Sequence, residues 1–116
     1  MIDLTKLSPD LAARCVIVAA YLYYVLDCPI RDDAEYDRLS QYVADNWDQL
    51  SEDRKWALES AEAIRSTGHH IKFPQAAVFA AYRQLADAGT APKFAPPTDW
   101  KIDPQHGRYV TAMNKG

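Results

Sequence analysis

The chain has 116 residues, 48% hydrophobic and 25% charged, with a net charge of −3. That length suits one domain, which can bury roughly two-thirds of the surface its unfolded form exposes and needs no metal or disulfide staple. Residues 1–66 carry 13 acids against 7 bases and residues 67–116 carry 3 against 6; the one dense charge cluster, residues 31–38, is mostly acidic, which argues against direct nucleic-acid binding.

Ser8-Pro9-Asp10 supplies an N-cap, a proline at the first helical position and an acid in the first turn. No Gly or Pro follows until Pro29, so a first helix is predicted over residues 9–27. Leu11, Cys15, Val18, Leu22, Val25 and Leu26 form its core stripe, while Val16, Ile17, Ala20, Tyr23 and Tyr24 occupy the other side. A helix apolar nearly all round is either covered on two faces or offers one of them to a ligand or partner. Its apolar run, residues 15–26, is too short to cross a bilayer, and no membrane segment is expected.

Cys28-Pro29-Ile30-Arg31 breaks the helix, and Asp32-Asp33-Ala34-Glu35 starts a second, capped by Asp32 or by Asp33, that runs to about Asn46. Ser51-Glu52-Asp53 starts a third, carrying Trp56, Leu58, Ala61 and Ile64 as far as a stop at Thr67-Gly68. A fourth, rich in Ala, runs from near Pro74 to before Gly89, with Val78, Phe79, Tyr82 and Leu85 at helical spacing. Four of the seven prolines fall after Gly89 with no apolar periodicity, so that segment is expected to be extended or irregular. Phe94, Trp100 and Tyr109 are the residues available to strap it onto the helices. The expected architecture is all-α, a helical hairpin plus two added helices over residues 1–90, followed by a Pro-rich tail over residues 91–116.

One stretch is informative about function: Tyr21-Leu22-Tyr23-Tyr24-Val25-Leu26-Asp27-Cys28-Pro29, continuing through Asp33-Ala34-Glu35-Tyr36-Asp37-Arg38-Leu39. It resembles the small N-terminal helical domain, Ia, of bacterial NAD-dependent DNA ligases, whose pattern is close to Y-x-Y-[YH]-V-x-D-x-P-x-x-x-D-x-E-Y-D-x-L. Every fixed position is matched without a gap, about ten specified positions in all. The resemblance covers residues 8–46. It implies a domain that closes over NAD and grips the nicotinamide mononucleotide (NMN) half, with Tyr23, Tyr24, Asp33, Tyr36 and Asp37 as ligand residues and Asp27 and Pro29 shaping the turn.

The residue chemistry agrees. An oxidised nicotinamide ring is a flat cation that favours tyrosine faces by about 0.5 to 2 kcal/mol. Asp33, Tyr36 and Asp37 stand at i, i+3 and i+4, on one face of the first turns of helix two, where their carboxylates can balance that charge and accept from ribose hydroxyls. Tyr23 and Asp27, also four apart, share the non-core side of helix one.

What is missing narrows the function. Ligation needs a lysine that forms a phosphoramide with AMP, set in K-x-D-G in the ligases; here no Asp-Gly dipeptide occurs and none of the six lysines fits. The chain is therefore not expected to be an enzyme by itself. His69 and His70 are adjacent rather than four apart and His106 is distant, so no metal site is expected, and there is no Gly-rich phosphate loop. Cys15 and Cys28 lack a C-x-x-C spacing, and with no signal peptide evident they are expected to be reduced thiols in the cytoplasm. The leading expectation is an accessory protein that binds the nicotinamide nucleotide of NAD or NMN, in service of a separate nucleotidyltransferase domain or as a sensor. A ligase fragment standing alone suggests a mobile or phage genome. The alternative is a protein–protein interaction module, such as a viral-type inhibitor or mimic that keeps the scaffold and binds a host protein.

Overall fold

In the computed structural model, which describes residues 6–28, 32–66, 71–92, 94, 100–102 and 109–111, the first helix is the hub of the core. Helix α1 (Pro9–Ala20) begins where Ser8 Oγ accepts the Leu11 N–H at 3.2 Å. Seven of its residues are buried, including Ala12, Ala13, Val16, Ile17 and Ala20, and it packs against three other helices. The expected two-sided stripe is thus corrected: Val16, Ile17 and Ala20 belong to the core, whereas Leu11 is 51% exposed and Cys15 only half-buried. Partners on several sides replace the single seam that periodicity alone assumes.

The α-helix stops at Ala20, short of the predicted end, and continues as a π-helical turn over Tyr21–Val25. Leu26 N–H donates to the Tyr21 carbonyl at 3.0 Å and Cys28 N–H to the Leu22 carbonyl at 2.8 Å, wider loops than the α pattern. Asp27 then takes a left-handed backbone conformation (φ 54°), the usual way a helix terminates. The chain re-enters at α2 (Asp33–Asp45), and the cap is Asp32, whose Oδ1 accepts the Glu35 N–H at 2.8 Å. The α2 face bearing Leu39, Ser40, Val43 and Ala44 is buried against α1. Tyr42 ties in the N-terminal approach by donating its hydroxyl to the Leu7 carbonyl at 2.8 Å.

A single 3-10 turn (Trp47–Gln49) leads to α3 (Glu52–Leu58), capped by Ser51. The third predicted helix is in fact two. Glu59 sits at φ 78°, ψ −63°, and Ser60 N–H reaches back to the Leu58 carbonyl at 3.1 Å, a γ-turn that ends α3. Ser60 caps α4 (Ala61–Ser66) by accepting the Ala63 N–H at 3.0 Å. Arg65 clamps α4 to α2, donating to Asp45 Oδ1 at 2.7 Å and to Gln41.

Helix α5 (Gln75–Asp87) lies along α1 and the π-helical turn. Tyr21 is enclosed there by Phe73, edge-on at 5.0 Å between ring centroids, and by Tyr82 at 6.2 Å. Phe79, expected to pack, is instead exposed. Beyond α5 the Pro-rich segment is not wholly irregular: β1 (Trp100–Ile102) and β2 (Tyr109–Thr111) pair antiparallel, with Lys101 opposite Val110. Three-residue strands are too short to show alternation, so periodicity does not reveal them. The segment is tied to α5 by Tyr82, whose hydroxyl donates to the Phe94 carbonyl at 3.0 Å, a backbone contact rather than the aromatic strap expected. The fold is a small all-α one with this two-stranded ladder added. The Pro29 turn, Thr67-Gly68, His69, His70 and His106 lie outside the described residues.

Candidate functional site

The π-helical turn positions the tyrosines. Inserting an extra residue per turn lets Tyr21 and Leu22 point into the core while Tyr23 and Tyr24 both emerge. They are 46% and 38% exposed, with ring centroids 4.9 Å apart at 73°, an edge-to-face pair. Tyr36, one turn into α2, is half-buried next to this pair. Burial raises its phenol well above the ordinary tyrosine value, and the neighbouring Tyr24 and Asp37 push the same way. The Ser40 hydroxyl lies close enough to oppose that shift slightly, yet it is 3% exposed and makes no hydrogen bond of ordinary geometry.

The five expected ligand residues therefore divide. Tyr23, Tyr24 and Tyr36 are brought together, and Asp37 adjoins Tyr36 electrostatically. Asp37 also lines a shallow depression of about 360 Å³ with Arg38, Gln41, Tyr42 and Asp45, which carries it toward the α4 side of the helix. Asp33 is exposed at the start of α2, and neither Tyr23, Tyr24, Asp33 nor Tyr36 lines that depression. The cap is Asp32, which leaves the Asp33 carboxylate uncommitted to the helix end. Helices α3 and α4 leave the paired rings of Tyr23 and Tyr24 open.

A second concavity has no counterpart in the sequence reading, which places Arg54 on a solvated face. A cleft of about 390 Å³ opens between α1, α3 and α5 and is lined by Arg14, Arg54, Asp10 and Asp53 over Ile17, Ala57 and Ala77. It is held by contacts between residues 41 and 44 positions apart: Ser51 N–H to Asp10 Oδ1 at 2.9 Å and Arg54 Nε to the Asp10 carbonyl at 3.4 Å. Local patterning carries no signal for pairs so distant.

Among the described residues no group of three or more His, Cys, Asp or Glu is placed to hold a metal ion, and no helix is long and apolar enough to cross a membrane. Comparison with protein-family models, curated proteins and solved structures returns no match.

Proposed function

We propose that this protein binds the nicotinamide nucleotide of NAD or NMN on the face formed by Tyr23, Tyr24 and Tyr36 with Asp33 and Asp37, as a cytoplasmic accessory related to ligase domain Ia. The observation that carries this reading is the exposed edge-to-face pair Tyr23–Tyr24, set beside Tyr36 and the acidic start of α2. Tyrosine faces attract a pyridinium cation, and flanking carboxylates balance its charge. Without K-x-D-G the chain supplies binding and not adenylation, which falls to a separate nucleotidyltransferase domain.

Calorimetric titration with NMN and with NAD tests this. Millimolar or tighter binding, weakened by Tyr23→Ala, Tyr24→Ala and Asp37→Asn, is the expected result. Tyr23, Tyr24 and Asp37 are exposed, so these variants keep the fold. No heat with either ligand overturns the reading. It would leave the protein-interaction alternative, which the same two exposed rings support, since tyrosines at a surface serve protein contacts equally well.

A further inference from the structure

The cleft between α1, α3 and α5 lies well away from the tyrosine face. Arg14 precedes Tyr23 by nine residues, roughly 13 Å along a helical axis. Its charged groups are unequally committed. Asp10 is spoken for, accepting the Ser51 N–H through Oδ1 and facing Arg54 Nε at 3.6 Å through Oδ2. Arg54 is engaged only through Nε, so its two Nη groups have no partner among the described residues. Arg14 has no hydrogen bond or ion pair among the described residues at all. Asp53 stands on the same rim and already has an interaction of its own.

We infer that this cleft is a binding site for a small organic monocarboxylate, with Arg14 as the principal anchor and the Nη groups of Arg54 as the second. A guanidinium fork matches the two oxygens of a carboxylate, and Asp10 holds the Arg54 side chain in place so that less rotamer freedom is lost on binding. The floor of Ile17, Ala57 and Ala77 receives an apolar body. Asp53 sets the charge limit: a ligand with one negative charge is drawn by the arginines, whereas a dianion meets Asp53 and the Asp10 carboxylate as well. The site therefore discriminates against phosphate monoesters of the same shape. It stands independently of the nicotinamide reading.

The test is an amide-resolved NMR titration of the full chain with three probes of one shape: benzoate, phenyl phosphate and benzyl alcohol. Benzoate is expected to bind at roughly millimolar affinity, as befits so small a probe, shifting the amides of Ala57 and Ala77. Phenyl phosphate is expected to bind several-fold more weakly and benzyl alcohol not measurably. Arg14→Gln is expected to weaken benzoate by about tenfold or more with an unchanged melting temperature, because Arg14 has no partner to lose. Arg14→Lys is expected to restore part of the affinity, and Tyr23→Ala to leave it unaltered. Four results overturn the inference: no shift with benzoate at tens of millimolar, benzyl alcohol binding as well as benzoate, phenyl phosphate binding more tightly, or Arg14→Gln binding benzoate undiminished.

Discussion

Glu59→Gly is expected to stabilise the protein. Glu59 occupies φ 78°, ψ −63°, where its Cβ crowds the backbone, a conformation that stores about 1 to 3 kcal/mol in a non-glycine residue. Its exposed side chain makes no hydrogen bond or ion pair among the described residues, so there is little to lose on truncation. The backbone bonds that fix the turn, Glu59 N–H to the Lys55 carbonyl at 2.8 Å and Ser60 N–H to Leu58, persist in glycine. Against the relief stands glycine's greater unfolded-state freedom, about 0.5 to 1 kcal/mol. The balance is a gain of about 1 kcal/mol, or a rise of roughly 4 °C in melting temperature for a domain of this size. Urea and thermal unfolding followed by circular dichroism and tryptophan fluorescence measure it, with coincidence of the two probes checking two-state behaviour. Glu59→Ala is the control, since it removes the same carboxylate but keeps the Cβ. If glycine proves no more stable than alanine at this position, the account of strain at Glu59 is wrong.

Two further outcomes follow from the α2 interior. Ser40→Ala should leave stability unchanged or raise it by up to about 1 kcal/mol in equilibrium unfolding, because the buried hydroxyl has no hydrogen bond to forfeit; a loss above that size would mean the hydroxyl is well partnered. The raised phenol of Tyr36 makes stability alkali-sensitive: above pH ~10 the unfolded chain releases this proton while the folded one retains it, so stability present below that pH is lost as pH rises. Unfolding measured across that range should therefore be less pH-dependent in Tyr36→Phe, by up to about 1.4 kcal/mol per pH unit, with Tyr21 contributing a similar residual slope; equal slopes in the two proteins would refute the assignment.

Local chemistry was legible in the sequence wherever one turn of chain decides it. Ser8, Asp32 and Ser51 cap α1, α2 and α3 as their side-chain oxygens suggest, and Tyr23 and Tyr24, placed off the core stripe by periodicity, are exposed. Decisions made by distant chain were not. Leu11 matches the apolar period but has no neighbour to cover it, whereas Val16 and Ile17 are buried because α1 has partners on more than one side. The break at Glu59 has no Gly or Pro to announce it, and is stabilised instead by the Ser60 cap and by Lys72 N–H donating to the Ala57 carbonyl at 2.8 Å. Of the candidate site, the motif brought three tyrosines to attention that prove to be neighbours, but gave no hint that Asp37 also borders Gln41 and Asp45, or that Arg14 and Arg54 share a cleft.

The π-helical turn makes the chain unusually intolerant of a change in length at one place. Between Tyr21 and Val25 the backbone carries a supernumerary residue, and excising any one of the five would let the turn relax into an ordinary α-helix. Everything downstream would then be dialled round by about 100°, one step of a 3.6-residue helix. Leu26, now completely enclosed, would leave its socket, and the departure angle toward α2 would change with it. Loop tips elsewhere can gain or lose a residue with modest effect, but here the count of residues is itself the determinant that keeps one tyrosine inside and two outside.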